Sequence, residues 1–199
     1  MQSSFFALTS RMKYISRWAL MRNACGETLS EHSLETAVLA HCLVTLRNTR
    51  CNPGEPLSAE RAAALALFHD VTEVLTGDMP TPVKYHNRQL RAAYRCVEES
   101  ACGSLLSLLP EDLRGAYSAL LQPAGDDLPL VPYVKAADKL SALIKCIEER
   151  KAGNREFDAA YDALCAKLRG MHMPELDCFL EEFLPAYREP LDGVIGKES

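Results

Sequence analysis

The stretch AERAAALALFHDVTEVLT, residues 59–76, carries the pattern that decides the fold class. Strong helix formers fill it, Ser58 before it is a good N-cap, and Gly77 after it is a good helix stop. The same preference runs through the whole sequence, in which alanine and leucine supply 54 residues and valine and isoleucine supply 13. Because the β-branched strand formers are scarce, the sequence predicts an all-α fold.

The spacing of apolar residues predicts seven more helices around this one. The second helix is expected to begin at the N-cap Ser30 and to run to about residue 48. Its expected apolar stripe consists of Leu34, Ala37, Val38 and His41. The other helices are expected at residues 4–19, 87–109, 111–121, 133–153, 155–169 and 174–186. No repeat or linker divides the sequence, so we expect one compact helical bundle over residues 1–199, with a loose tail at 190–199.

Composition and charge exclude several classes of protein. The chain has 199 residues, of which 48% are hydrophobic and 25% are charged, as in ordinary globular proteins and unlike disordered ones. Its net charge of −5 argues against a protein that binds a nucleic-acid polymer through bulk positive charge. No apolar stretch approaches the roughly 20 residues of a membrane helix, so we expect no membrane partner.

The cysteines and the N-terminus predict a cytoplasmic protein. Arg11, Lys13 and Arg17 interrupt what would be the apolar core of a signal peptide. The eight cysteines are scattered without a C-x-x-C pair, as expected of free thiols rather than of a disulfide framework.

Candidate chemistry begins with the pair His69–Asp70 in the apolar stretch quoted above. An unpaired charge at such a position costs several kcal/mol, so Asp70 is expected to meet a positive group or to line a cleft. Glu73 lies one turn further along the same face. Two more sites extend the pattern, because His32 begins the second helix and Asp138 interrupts the apolar run VKAADKLSAL. Two imidazoles and two carboxylates suit a divalent first-row metal with open positions for water and substrate.

This H…HD…D pattern on helices resembles that of the HD-domain metal-dependent phosphohydrolases. The segments SRWALMRN (16–23), SEHSLETA (30–37), FHDVTEVLTGDMPTPVKY (68–85) and VKAADKL (134–140) resemble the bacterial YfbR-type 5′-deoxynucleotidases, from the N-terminus to about residue 186. The resemblance implies a homodimer that hydrolyses deoxyribonucleoside 5′-monophosphates to deoxynucleosides and phosphate. It also implies one divalent metal ion per subunit, with Co²⁺ favoured and Mn²⁺, Zn²⁺, Cu²⁺ or Mg²⁺ as alternatives.

The resemblance also implies a role for each matching residue. The metal ligands would be His32, His69, Asp70 and Asp138. Glu73 would be the catalytic acid or base, and Arg17 and Trp18 would bind phosphate and sugar, with Arg17 also contributing to catalysis. The substrate loop would be Asp78, Met79, Pro80 and Thr81. The chemistry of Arg17 and Trp18 is consistent with these roles. The guanidinium of Arg17 presents a planar fork to a phosphate. The ring of Trp18, if packed against C2′ of the sugar, would disfavour ribose.

Several alternatives remain open at this point. Other HD phosphohydrolases act on triphosphates, cyclic nucleotides or guanosine polyphosphates, and a catalytically silent HD module would only bind a nucleotide. Glu73 could instead hold Arg17 structurally, and Asp138 could pair with Lys135 or Lys139. Two-metal HD enzymes have additional histidines between the HD pair and the last aspartate, whereas only His86 lies in that interval here, which favours one metal.

Overall fold

The computed structural model describes residues 3–84 and 86–194, and for Thr81 it describes the backbone alone. This part of the protein is helical, and its single extended contact is an antiparallel bridge between Ser16 and Thr28. The α-helices are α1 (Phe5–Thr9), α2 (Leu29–Leu46), α3 (Ala59–Phe68), α4 (Glu73–Thr76), α5 (Thr81–Lys84), α6 (Arg88–Ser107), α7 (Glu111–Leu121), α8 (Val131–Lys151), α9 (Asp158–Arg169), α10 (Pro174–Glu182) and α11 (Leu191–Val194). Four 3₁₀ turns cover Ser10–Tyr14, Gly125–Leu130, Arg155–Phe157 and Leu184–Arg188, and a π turn covers Arg47–Cys51.

Helix α2 lies at the centre of the bundle and packs most extensively on α3 and α8. Leu43 of α2, Leu65 of α3 and Leu140 of α8 are 2% exposed or less. Burying a side chain of this size contributes roughly 1.5–3 kcal/mol. A second apolar cluster joins α1 and the 3₁₀ turn after it to the end of α6, and it includes Val71. The prediction of an all-α bundle is confirmed.

The first predicted helix is too long. It breaks into α1 and a 3₁₀ turn that ends at Tyr14, and the backbone then becomes extended. The extended segment pairs with the entry to α2, because Arg17 N–H donates to Glu27 O at 3.0 Å and Leu29 N–H donates to Ile15 O at 2.9 Å. Arg17 therefore lies on a loop that is tied to the start of α2.

The N-cap of α2 is not the expected residue. Thr28, and not Ser30, is the N-cap, and Glu31 completes a capping box with it. Thr28 has a glutamate three residues later, whereas Ser30 has Ser33 there, so only Thr28 can form this reciprocal pair. The predicted apolar stripe is also wrong in part. Ala37 is buried, but Leu34 and Val38 are 61% and 62% exposed, and His41 is exposed too.

The predicted third helix is interrupted at the His69–Asp70 pair. Helix α3 ends at Phe68, and α4 begins at Glu73. Between them the backbone tightens into successive i→i−3 hydrogen bonds, such as Val71 N–H to Phe68 O at 3.2 Å and Glu73 N–H to Asp70 O at 2.9 Å. Ala66 before the turn belongs to the central core and Val71 within it belongs to the second cluster, so burial fixes the turn at both positions.

The connection between Trp18 and Glu27 is anchored to the buried face of α8. Glu149 accepts hydrogen bonds from Ala24 N–H at 2.8 Å, Cys25 N–H at 3.1 Å and Asn154 Nδ2 at 2.7 Å. Lys145 pairs with Glu149 and donates to Cys25 O. Burial alone would raise the pKa of Glu149, but the hydrogen bonds from Lys145, Ala24 and Asn154 lower it to about 2.

The segment that follows Pro190 was expected to be loose. Leu191–Val194 form the short helix α11, and residues 195–199 of the predicted tail lie outside the described residues. None of the described helices is long and apolar enough to span a bilayer.

We expect Glu149→Gln to lower the free energy of unfolding by about 3 kcal/mol, because it leaves Lys145 as an uncompensated buried charge. Urea denaturation near neutral pH measures the loss, and Glu148→Gln, at the exposed neighbouring position, is the matched control. The folded-state pKa of Glu149 lies below its usual 4.5, so its ionised form stabilises the fold fully above about pH 5 and progressively less towards pH 2. The difference between wild type and Glu149→Gln should therefore shrink as the pH falls, and a constant difference would contradict this assignment.

Candidate active site

The turn after α3 orients the His69 ring. His69 Nδ1 lies 2.6 Å from Ala66 O, and since a carbonyl oxygen only accepts, Nδ1 carries the proton. Nε2 points into the bundle, 2.9 Å from Asp70 Oδ2. It is buried, and that short approach lacks the geometry of a hydrogen bond, so Nε2 has no hydrogen-bond partner among the described residues. Two polar atoms that converge in this way are arranged as neighbouring ligands of a common centre.

Helix α2 brings a second imidazole to the same centre. His32 is completely buried, and ligand atoms of His32, His69 and Asp70 all lie within 4.8 Å of one another. His32 Nε2 lies 3.7 Å from Asp70 Oδ2 and 3.4 Å from Asp138 Oδ1 of α8. Metal–ligand bonds of about 2.0–2.2 Å place neighbouring donor atoms about 3–3.5 Å apart, so this donor set suits a divalent metal ion.

The potential at this centre is strongly negative. Burial would lower the pKa of His69, but the charge of Asp70 and its contact raise the pKa to about 9. Burial would raise the pKa of Asp138, but the close contact with His32 and the charge of the nearby His69 hold it far below its usual range. Asp138 also pairs with Lys139, one of the two lysines that the sequence offered as its partner, since Lys139 Nζ lies 3.3 Å from Asp138 Oδ2. The other oxygen of Asp138 still approaches His32.

Glu73 lies beside this centre at the start of α4. It is 7% exposed, and its Oε2 has no hydrogen-bond partner among the described residues. Burial raises the pKa of Glu73 to about 9, and the charges of Asp70 and Asp78 act in the same direction. The charge of Arg17 lowers the pKa of Glu73, but Arg17 forms its ion pair with Glu27. Glu73 is therefore not the main structural partner of Arg17.

The partner of Arg17 is Glu27, a residue that sequence reasoning missed. Glu27 Oε2 accepts from Arg17 Nε at 3.2 Å and from Trp18 Nε1 at 2.9 Å, so one carboxylate oxygen holds both side chains. Arg17 Nη1 then reaches Asp70 Oδ2 at 3.6 Å. Burial would lower the pKa of Arg17, but the charges of Glu27 and Asp70 raise it. No sequence motif marks Glu27, because its partners depend on the bridge that joins the two loops.

Trp18 adopts an unusual backbone conformation at this point. Its φ is +58°, a left-handed value that is a genuine outlier for a bulky residue. Its carbonyl accepts from Asn23 Nδ2 at 3.3 Å, and its ring packs at 5.2 Å from the ring of Phe157. Strain of this kind costs about 1–3 kcal/mol and persists where the surroundings fix it, often at functional sites.

The predicted substrate loop lies close to the Arg17 side of the site, because burial raises the pKa of Asp78 and the nearby charge of Arg17 opposes that rise. Gly77 permits the turn, since its φ is +72°. Met79 and Pro80 are half-buried beside it, and Thr81 begins α5, although its side chain is outside the described part of the structure. The loop is followed by Lys84, which pairs with Glu98 at 2.6 Å and was not singled out from the sequence.

The fold and the site together define a class of protein, the HD-domain phosphohydrolases. The crystal structure of an HD-domain phosphohydrolase from Listeria innocua superposes with a TM-score of 0.80 and is 25% identical, covering 96% of this chain and 91% of that one. A Cyanophage S-2L HD phosphohydrolase (DatZ), solved with dA and one catalytic Zn²⁺ ion, has a TM-score of 0.62 at 19% identity, covering 92% of this chain and 96% of that one.

Sequence comparison narrows this class to one family. The sequence model of the 5′-deoxynucleotidase YfbR-like family matches residues 4–187. Proteins named 5′-deoxynucleotidase YfbR from Shigella boydii and Escherichia coli are each 44% identical over 193 residues, which is 97% of this chain and 96% of theirs. The protein belongs to the YfbR-like 5′-deoxynucleotidase family and is a metal-dependent phosphomonoesterase.

We expect Glu27→Ala to release Trp18, because the indole Nε1 loses its acceptor and the strained backbone loses a constraint. Trp18 is the single tryptophan of the sequence, so its fluorescence reports on this loop alone. The emission should shift to longer wavelength and become more accessible to a neutral quencher such as acrylamide. Glu99→Ala, on the exposed side of α6, should leave the spectrum unchanged, and an unchanged spectrum of Glu27→Ala would contradict the proposed restraint.

Proposed function

We propose that this protein hydrolyses deoxyribonucleoside 5′-monophosphates to deoxynucleosides and phosphate, using one divalent metal ion per subunit. The observation that carries the proposal is the convergence of His32, His69 and Asp70 within 4.8 Å, next to the unpartnered buried carboxylate of Glu73. The 44% identity to proteins named 5′-deoxynucleotidase supports the choice of substrate.

His32, His69, Asp70 and Asp138 are the proposed ligands of the metal ion. When bound, a divalent ion supplies a Lewis acid for a phosphoryl oxygen and lowers the pKa of the water that it holds. The Zn²⁺ of the cyanophage relative supports an ion of this kind, while Co²⁺ is the ion that the family resemblance favours. The same nitrogen and oxygen donors accept Mn²⁺, Cu²⁺ or Mg²⁺, so the physiological ion depends on availability as well.

Glu73 is the proposed acid or base of the reaction. Its free Oε2 can take a proton from the attacking water or return one to the departing 5′-oxygen, a contribution that is typically about 10²–10⁴-fold. The positive charge of the ion opposes the raised pKa of Glu73, and so favours the ionised form that a base requires.

Arg17 and Trp18 are the proposed contacts for phosphate and sugar. Glu27 binds Arg17 through Nε and not through the terminal nitrogens, and Nη1 lies 3.6 Å from Asp70 Oδ2. A planar guanidinium at this position suits two phosphate oxygens. The Trp18 ring is held by Glu27 and Phe157, and a rigid wall at C2′ would exclude a 2′-hydroxyl. Asp78 to Thr81 form the proposed substrate loop, since Asp78 lies near enough to Arg17 for the two charges to interact.

A substrate panel tests this function. The protein is stripped with a chelator, refilled separately with Co²⁺, Mn²⁺, Zn²⁺, Cu²⁺ or Mg²⁺, and assayed for phosphate release from dAMP and AMP. We expect faster release from dAMP than from AMP. Glu73→Gln should lower kcat by about 10²–10⁴-fold, because it removes the proton-transfer group. Glu99→Gln, at an exposed position of α6, is the matched control, and Trp18→Ala should reduce the preference for dAMP.

The alternatives are separated by adding dATP, a cyclic nucleotide and a guanosine polyphosphate to the same panel. Release of pyrophosphate or triphosphate from dATP, or turnover of a cyclic nucleotide or a guanosine polyphosphate in place of dAMP, would assign another HD phosphohydrolase activity. Binding of dAMP without turnover by any metal form would indicate a silent nucleotide-binding module. Asp70→Ala with the activity of wild type would contradict the whole site assignment.

We propose in addition that the protein is a cytoplasmic homodimer that covers the outer face of α2. The eight free cysteines are in keeping with a reducing compartment. Leu34 and Val38 are large apolar side chains, one helical turn apart, that are 61% and 62% exposed. An exposed apolar stripe of this kind is typical of an interaction surface, and the family resemblance implies a second copy of the protein as its occupant.

We expect sedimentation equilibrium to give twice the 22.0 kDa of one subunit for the wild type. Val38→Glu should shift the mass towards that of one subunit, because it buries a charge in the interface. Val97→Glu, at a 48% exposed valine of α6, should remain dimeric. A wild type that sediments as a monomer would contradict the dimer, and a dimeric Val38→Glu would contradict the surface.

A further inference from the structure

Behind the proposed metal ligand His32 lies a buried series of hydrogen bonds that none of the roles above uses. His32 Nδ1 is 3.0 Å from Ser141 Oγ, on the side of the ring away from Asp70 and Asp138. Ser141 Oγ in turn is 2.5 Å from Glu35 Oε2. His32 and Ser141 are both 0% exposed, so water does not replace these contacts.

The direction of each hydrogen bond follows from the number of protons. A hydroxyl has one hydrogen, and an ionised carboxylate can only accept. When Glu35 is ionised, Ser141 therefore donates to it, and the Ser141 oxygen is left as an acceptor for His32 Nδ1–H. A neutral imidazole with its proton on Nδ1 has its lone pair on Nε2, which is the atom that faces Asp70 and Asp138. Thr36 Oγ1, 3.5 Å from Nε2, is a hydroxyl that can donate to that lone pair and so does not oppose this tautomer.

The spacing on the two helices explains why these hydrogen bonds form. Ser141 follows Asp138 by three residues on α8, and Glu35 follows His32 by three residues on α2. Residues three apart share a helix face, so the contact between α2 and α8 that brings Asp138 to His32 also brings Ser141 to His32.

We infer that Ser141 and Glu35 are positioning residues, which hold His32 in the Nδ1-protonated tautomer and the ring orientation that a metal ligand requires. This inference rests on the proposed metal site. Partners of this kind behind a metal-bound histidine typically change metal affinity by about 10–100-fold when they are removed. Ser141 contacts His32 and Glu35, and neither Ser141 nor Glu35 is among the proposed substrate contacts, so they are not catalytic residues.

Metal affinity is the first measurement. The chelator-treated protein is titrated with Co²⁺ in competition with a chromophoric chelator, well above pH 7, because burial raises the pKa of Glu35 to about 7 and the ionised form is needed. We expect Ser141→Ala to weaken Co²⁺ binding by about 10–100-fold. Glu35→Gln should weaken it less, since the amide oxygen still accepts from Ser141. The matched control is Ser33→Ala, because Ser33 is 1% exposed, adjoins His32 and has no side-chain hydrogen-bond partner within the described residues.

The tautomer of His32 is the second measurement. Nitrogen-15 NMR of the metal-free wild type, with His32 assigned by its absence from His32→Gln, distinguishes Nδ1–H from Nε2–H. We expect Nδ1–H in the wild type and a mixture in Ser141→Ala. Nε2–H in the wild type, or Co²⁺ affinity in Ser141→Ala equal to that in Ser33→Ala, would overturn the inference. A wild type that binds no Co²⁺ would instead overturn the proposed metal site, so the two failures are distinguishable.

Discussion

One polar stripe on the buried helix α8 supports the rest of the site. Asp138, Ser141, Lys145 and Glu149 follow one another at intervals of three or four residues and so face the same side of the helix. Asp138 approaches His32 directly, and Ser141 lies within hydrogen-bond distance of the other side of the same ring. Glu149 binds the backbone of the connection that follows Trp18. Polar groups in an apolar core are costly unless each has a partner, so these contacts fix how α8 sits against α2 and against the N-terminal loop.

This constraint explains how residues far apart in the sequence share one centre. The central core sets the packing of α2, α3 and α8, while the second apolar cluster holds Val71 and the end of α6. The turn that carries His69 and Asp70 lies between these two clusters. The loop with Arg17 cannot drift from it, because Glu27 binds that side chain and Glu149 binds the backbone further along.

The sequence predicts the fold class and the convergence of His32, His69 and Asp70 better than it predicts the local backbone. Composition and periodicity are enough for an all-α bundle, because helix propensity is a property of each segment. The break at His69 is not visible in the same way, since AERAAALALFHDVTEVLT has the pattern of one uninterrupted helix and tertiary packing overrides its propensity. The capping box at Thr28 was readable from Glu31, three residues later, but Ser30 offered a competing N-cap.

The residues that sequence reasoning missed share a physical property. Glu27, Ser141 and Glu149 each bind a residue that is 9 to 125 positions away, and local spacing does not predict those contacts. The stripe on α8 left a partial signal, namely polar residues at helical spacing within a long amphipathic run, of which only Asp138 was singled out. The exposure of Leu34 and Val38 could not be predicted, because apolar periodicity does not say which of two faces of a central helix meets solvent.

The charges of the site explain why it favours a cation. Asp70, Asp138 and Glu73 lie near one guanidinium, that of Arg17. The negative potential raises the pKa of His69 to about 9, and burial together with that potential raises the pKa of Glu73 to about 9. A divalent cation at this centre relieves the same potential that protons otherwise relieve, so metal binding and proton release are linked. A bound divalent cation therefore offsets the cost of burying these carboxylates. If the carboxylates served only as partners in structural ion pairs, one cation for each would be enough, and two imidazoles would not need to converge on the same point.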